Sequence, residues 1–331
     1  MNSYEIGEKL MSAEFLQEFS KDEWNSFVDI SPQGSIFCYY EWLEFSTDKD
    51  FRILTYKENG KIVAGMPLPF FSRRRIRLPK LTQKMGVLFE DFSNLKCASR
   101  LEKEKKIIYE FVDILKQEKK SYNMAFDWHF YNWLPFYWKG FEQTTWYTYV
   151  IDFTSKDLDS IWQDMDERTR NSIRKAQKIP LSVYETSDLS RLYEFDKITF
   201  DRQKRRMPYS FGYIEKLYGI FKDNIRMLEA VDDNGTVQAI SFYISDKKSV
   251  YYLMSGADPN YKNSGAQNLI QWEAIKYYYD KVRYFDFEGS ILENIEANFR
   301  KFGAEQKPYF YICDRTIFNK LLDIARIILK R

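Results

Sequence analysis

The sequence predicts an α/β protein with mixed sheets, built from two tandem copies of one fold. Three observations predict it, and they recur in the same order in each half of the 331 residues. First, FRILTYKENGKIVAGMPLPFF (51–71) and IRMLEAVDDNGTVQAISFYIS (225–245) each read as strand, Asn-Gly turn, strand. Asn59-Gly60 and Asn234-Gly235 are dipeptides of a tight hairpin, because both central residues of such a turn need positive φ. Second, each half carries a short apolar strand closing on an acid, Met124-Ala125-Phe126-Asp127 and Tyr284-Phe285-Asp286-Phe287-Glu288. Third, Gly140-Phe141-Glu142-Gln143 and Gly303-Ala304-Glu305-Gln306 each precede an aromatic strand. The distance from turn to ending is 80 residues in the first half (60 to 140) and 68 in the second (235 to 303). Ordered internal matches of this kind mark repeated units. Domains at 1–152 and 153–331 follow, with residues near 35–150 and 181–315 expected to superpose.

The second copy shows its elements plainly. A helical stretch, Leu189 to Arg202, leads through the loop KRRMPYS to another helix near 211–222. The hairpin 225–245 and a strand Val250–Ser255 follow. Leu269, Trp272, Ile275 and Tyr279 then fall at helical spacing within Gly265–Tyr279. A strand Tyr284–Glu288, a helix Leu292–Phe302 and a final strand Tyr309–Cys313 complete the copy. This order is the one used by acetyltransferases of the GNAT type. Between the copies, 154–180 reads as a linker helix with Trp162 and Met165 on an apolar face and Arg168, Arg170, Arg174, Lys175 and Lys178 on a basic one. The ending TIFNKLLDIARIILKR reads as a basic amphipathic helix, suited either to a membrane surface or to packing on the domain.

Composition narrows the function classes. A net charge of +2 gives no field suited to coating nucleic acid. The three cysteines, Cys38, Cys97 and Cys313, are far apart, which argues against a disulfide framework or zinc ribbon and for a reducing compartment. The first residues lack the basic and apolar regions of a signal peptide. No run of about 18 uncharged apolar residues occurs. The expected location is cytoplasmic.

Four segments carry a resemblance: WLPFYWKGFEQTTWYTYVID (133–152), MDERTRNSIRKAQK (165–178), SGADPNYKNSGAQNLIQWEAI (255–275) and FDFEGSILENIEANFRKFGAEQKPYF (285–310). They resemble the Fem-like family, bacterial tandem GNAT-fold N-acyltransferases that include proteins associated with envelope polysaccharides. Characterised Fem proteins transfer an amino acid from aminoacyl-tRNA to an amine of a peptidoglycan precursor. The resemblance therefore implies a transferase with no bound cofactor and either aminoacyl-tRNA or acyl-CoA as donor. The acceptor it implies is a cell-envelope precursor, soluble or lipid-linked, met in the cytoplasm or at the inner face of the membrane. An acyl-CoA-dependent acetyltransferase of an amino sugar, or a non-catalytic binding protein on the same fold, are the alternatives. Two departures bear on the donor. The GNAT pyrophosphate signature, Gln/Arg-x-x-Gly-x-Gly/Ala, is degenerate at Tyr261-Lys262-Asn263-Ser264-Gly265-Ala266. The helical arm that some Fem proteins use for RNA has no counterpart.

Amine acylation needs a poised amine, a proton acceptor and a group to offset charge on the acyl oxygen, but no covalent nucleophile. With one histidine, a Ser-His-Asp or Cys-His system is excluded unless His129 is in it, and no histidine pair exists for zinc. Glu288, at a strand end where ligands of open α/β sheets collect, is the first candidate for proton acceptor; capping the next helix is the competing reading. Fem proteins place a cation before a Phe-Gly pair with the spacing Phe-Lys-x-x-Phe-Gly. Here the run is Phe299-Arg300-Lys301-Phe302-Gly303, one residue shorter, so either Arg300 or Lys301 fills the role. The loop after the first helix of copy two walls the acceptor site in GNAT folds, which nominates Arg202, Gln203, Arg205 and Tyr209 for substrate binding, the arginines for phosphate or carboxylate. Ser255 and Gln271 are further substrate-binding candidates, as are Asp127 and His129 at the equivalent strand end of copy one. Ser72–Arg77 is a basic connector suited to a phosphate or an anionic lipid.

Overall fold

A computed structural model describes residues 11–16, 20–73, 75–289 and 293–314. Arg74 of the basic connector, Ser290 and the amphipathic ending 316–331 lie outside the described residues. The chain divides into two compact units, Met1–Trp146 with Pro308–Arg331, and Tyr147–Lys307.

In chain order the first half runs β1 (Met11–Phe15), α1 (Lys21–Ile30), α2 (Tyr40–Ser46), β2 (Phe51–Glu58), β3 (Lys61–Ser72), β4 (Arg75–Arg77), β5 (Leu88–Phe89), α3 (Cys97–Gln117), β6 (Ser121–Ala125), α4 (Leu134–Trp138) and β7 (Glu142–Asp152). The second half runs α5 (Leu158–Asp164), α6 (Glu167–Lys178), β8 (Ser182–Glu185), α7 (Leu189–Arg202), α8 (Phe211–Phe221), β9 (Ile225–Val231), β10 (Val237–Ser245), β11 (Ser249–Ala257), α9 (Ala266–Tyr278), β12 (Tyr284–Asp286), α10 (Glu293–Arg300) and β13 (Glu305–Cys313).

Strand pairing repeats from unit to unit. In the first, β1–β2, β2–β3 and β3–β4 are antiparallel, β4–β6 is parallel, and β6 pairs antiparallel with β13. In the second, β8–β9, β9–β10 and β10–β11 are antiparallel, β11–β12 is parallel, and β12 pairs antiparallel with β7. Each unit is thus a copy of one mixed α/β fold, and each takes its last strand from the other half of the sequence. A parallel pair needs a crossover, which α3 and α9 supply.

The two hairpin turns differ. Asn59 and Gly60 both have positive φ, 50° and 79°, as a two-residue turn requires. The second turn departs from expectation: only Gly235 is left-handed, at 78°. The reason is Asp232, whose carboxylate accepts from the N–H groups of Asn234 (3.0 Å) and Thr236 (2.9 Å). Gly235 N–H donates to the Asp232 carbonyl at 2.9 Å, and the β9–β10 register shifts after Val237. That is a type I turn closed by a glycine bulge, which Asp at its first position favours.

The core of the second unit joins β10 and β11 (Tyr243, Val250) to α9 (Leu269, Ile270, Ile275), to Phe285, Phe287 and Phe302, and to α5 and α6 (Ile161, Met165, Ile173, Ala176). Segment 154–180 forms two helices broken at Met165-Asp166. Asp157 caps the first by accepting from Ser160 N–H at 2.7 Å, and Asp166 caps the second by accepting from Arg168 N–H at 2.8 Å. In the first unit Trp24, Phe37, Trp42, Phe111 and Phe126 form the interior, with Trp24 Nε1 donating to Cys38 O and Trp42 Nε1 to Thr82 Oγ1. No helix among the described residues is long and apolar enough to cross a membrane.

Candidate active site in the second unit

A cleft of about 860 Å³ opens in the second unit along β11, the loop Asp258–Gly265 and the start of α9. Chain chemistry sets its walls. At Gly256 the helix α7 comes so close that an added Cβ would lie 2.3 Å from the carbonyl carbon of Phe195. This approach brings Thr199, Arg202 and Gln203 to the cleft. The opposite wall is Phe287 with Asn298, Phe299, Lys301 and Phe302.

On the floor, Gln267 Nε2 donates to Ser241 Oγ at 2.6 Å and to the Tyr252 hydroxyl at 2.9 Å. Burial pushes the Tyr252 phenol up to about 12, despite opposing contributions from Ser255, Ser241 and Gln271. Tyr252 is therefore a neutral donor at physiological pH. Asp196, on the inner face of α7, is buried and accepts the hydroxyl of Tyr209. Burial pushes its carboxyl up to about 6, and its charge acts on Tyr252. Sequence reading missed Asp196. The signal was present: with Leu192, Phe195 and Thr199 it falls at helical spacing on one face, where a carboxylate is out of place.

The glycine loop has been put to another use. Gly265 has φ +86°, and an added Cβ would sit 2.4 Å from the carbonyl oxygen of Ser172 in α6. Asn268 Nδ2 donates to Ser172 Oγ at 3.0 Å, and Lys175 Nζ donates to Asn263 O at 3.0 Å. The glycine thus admits a helix rather than leaving open backbone. Of the basic face on α6, Arg170 donates to Gln163 O at 3.0 Å and Arg174 lies 5.5 Å from the Trp162 ring.

The structure distributes the sequence candidates unevenly. Arg202, Gln203, Ser255, Gln271 and Lys301 meet in the one cleft. Arg205 is exposed in the loop after α7. Tyr209 is buried against Asp196. Glu288 follows β12 with φ 60° and is buried; its N–H donates to Asp286 Oδ1 at 2.8 Å, and Asp286 also accepts from Thr148 Oγ1. Its neighbour Phe287 lines the cleft, whereas Glu288 does not. Arg300 and Lys301 part company. Arg300 is 65% exposed, with its Nε 3.8 Å from Glu296, and faces a second cavity alongside Asp164 and Arg168. Lys301 lines both cavities; burial lowers its pKa, partly offset by Asp166.

Asp127 and His129 belong to the first unit. Asp127 Oδ1 accepts the His129 backbone N–H at 2.9 Å and lies 2.7 Å from His129 Nδ1. Burial works to raise the Asp127 pKa, but His129 and the buried Lys84 outweigh it and hold the carboxyl below its ordinary value. The Trp128 ring lies over His129 at 3.5 Å.

Comparison with known proteins fits this arrangement. Residues 163–300 match the family described as Acetyltransferase (GNAT) domain, a span that holds most of the residues lining the cleft. The structure titled "Crystal structure of FemX" aligns with TM-score 0.69 and 14% identity over 94% of this chain and 98% of that one. The C-terminal domain of a protein assigned as a lysylphosphatidylglycerol synthetase of Agrobacterium fabrum aligns with TM-score 0.56 and 11% identity, over 94% and 96%. A tandem GNAT protein from the clavulanic acid biosynthesis pathway aligns with TM-score 0.53 and 10% identity, over 92% and 97%. The fold is that of the tandem GNAT proteins, with a Fem-type structure among its neighbours. No curated protein sequence matches the chain significantly.

Proposed function

We propose that this protein is an N-acyltransferase that moves an aminoacyl or acyl group onto an amine of a cell-envelope precursor, at the cleft of the second unit. The amine nitrogen forms a bond to the acyl carbon, the C–O or C–S bond to the donor breaks, and the amine loses a proton. One observation carries the reading: the GNAT-domain match coincides with a large cleft in which Lys301, Arg202 and Tyr252 meet. Glu288, buried one residue beyond the cleft-lining Phe287, takes the proton through an intervening water. Lys301, rather than the exposed Arg300, offsets charge on the acyl oxygen, where a partly desolvated cation acts most strongly. Arg202, with Gln203 beside it and Arg205 further along the loop, binds a phosphate or carboxylate of the acceptor. Asp127 and His129, paired within the first unit, form a separate substrate-binding candidate there.

An aminoacyl ester is the donor we favour, because the glycine of the degenerate pyrophosphate signature is packed against Ser172 of α6 and the loop keeps no second glycine. The Fem resemblance agrees, as does a neighbour whose name joins lysyl to phosphatidylglycerol. Such precursors place the protein in the cytoplasm, at the inner face of the membrane. The GNAT-domain match itself favours a second reading, with acyl-CoA as donor. Titrating the whole chain with CoA by calorimetry separates the two: no saturable binding is expected, and tight stoichiometric binding would establish the second.

A further inference from the structure

The cleft of the second unit holds carboxamide atoms that are buried and unsatisfied. Gln271, one turn beyond Gln267 on α9, is 2% exposed and lines the cleft, and neither its Nε2 nor its Oε1 has a hydrogen-bond partner. Its amide is near enough to the Tyr252 hydroxyl to lower that pKa, yet lies outside hydrogen-bond geometry. Gln238, also buried and also lining the cleft, donates from Nε2 to Asp232 at 3.1 Å and leaves Oε1 unpartnered. Gln267, by contrast, has its Nε2 engaged twice, by Ser241 and Tyr252. Folded proteins leave few buried polar atoms unmet, and those they do leave commonly await a ligand or water.

We infer that Gln271 reads a neutral amide of the substrate. A carboxamide offers one donor and one acceptor side by side; a trans acylamino group meets Nε2 with its C=O or Oε1 with its N–H, and the N–H and C=O flanking one Cα of an extended peptide meet both. A carboxylate would meet Nε2 but press its charge on Oε1. An ammonium would meet Oε1 but face Nε2. Both charged groups would also lose hydration in a pocket where Phe287 and Phe299 form one wall. The matching chemistry is an acylamino group, supplied either by an N-acetylated sugar or by a peptide bond. This deepens the proposed function by naming a substrate group. It rests on the cleft being the substrate site, and not on turnover.

Ligand-observed NMR titration of the whole chain tests it. The probes are N-acetylglucosamine and N-acetylalanine methylamide, with glucosamine and alanine as charged counterparts. At least one amide should bind about tenfold or more tighter than its counterpart, a ratio within reach of one or two hydrogen bonds. The amide that binds identifies the source. Gln271→Leu should abolish the preference while keeping or raising Tm, since an apolar side chain of similar size removes buried unmet polar atoms. The inference is overturned by equal binding of amide and counterpart, by a preference that survives Gln271→Leu, or by a large fall in Tm. That last result would mean the protein itself uses the amide. Because no step needs catalysis, amide binding without acyl transfer would sink the acyltransferase reading and leave this one standing.

Discussion

Lys301 and Glu288 are partly or wholly withdrawn from water, unlike the exposed Arg202, Arg205 and Arg300, and that makes their roles separable. Glu288→Gln should lower kcat by about 10²–10⁴-fold with Tm little changed, the usual range for a lost general base. Lys301→Ala should lower kcat by about 10²–10³-fold, because its partner charge exists mainly in the transition state. Arg300→Ala should leave both constants near wild type, as expected of a mostly exposed cation in high dielectric. Steady-state kinetics on the three variants read these outcomes directly. Asp196 adds a pH signature. Its folded pKa near 6 exceeds the value of about 3.9 expected in an unfolded chain. The folded state therefore binds more protons between those values, and this group's contribution to stability falls as pH rises from 4 to 6, then levels off. Asp196→Asn should remove that slope, so the variant gains on wild type by on the order of 2 kcal/mol across that window in chemical denaturation. A constant difference would mean that Asp196 is not held protonated. Gln271 and Lys301 could be nominated from sequence because they follow motif-like runs. Asp196 carried only the weaker signal of a carboxylate on an apolar helical face, and its burial depends on how deeply α7 presses onto β11.

At the scale of elements, strands and helices were legible because their periodicities are strong. The turn chemistry was less so. Asn59-Gly60 and Asn234-Gly235 are the same dipeptide, yet Asp232 converts the second into a longer bulged turn. A side chain two residues earlier outweighs the local pair. Gly265 shows the same limit. The degenerate signature marked a broken phosphate nest, but not that α6 packs against the glycine. Gly60→Ala should cost about 1 kcal/mol from positive φ alone, since nothing lies within 4 Å of the added Cβ. Gly265→Ala meets Ser172 as well and should cost roughly 2–4 kcal/mol. Equal losses in urea denaturation would show that α6 yields easily, and would reopen the loop to a CoA pyrophosphate.

Seen whole, the molecule repeats one fold twice while exchanging final strands, with β13 completing the first unit and β7 the second. The repeat was legible from three ordered matches, but the exchange was not. Sequence order makes each ending look like the close of its own copy, and only pairing of Tyr311–Cys313 with Asn123–Ala125 shows otherwise. A fragment of residues 1–152 should therefore lack a cooperative thermal transition and aggregate through the bare edge of β6. A peptide spanning 303–315 should restore the transition. Cooperative melting of the fragment alone would contradict the exchange.

The central claim, that the second unit's cleft transfers an acyl group to an amine, is tested most directly by following label. Purified protein is mixed with tRNA carrying a labelled amino acid, or in parallel with labelled acyl-CoA, and an amine-bearing envelope precursor, and label on the acceptor is counted over time. The account predicts acceptor labelling by the wild-type chain, stronger with the aminoacyl-tRNA arm, and its loss in Lys301→Ala at unchanged Tm. Full labelling by Lys301→Ala, or none by the wild type with either donor across a panel of such acceptors, would contradict it.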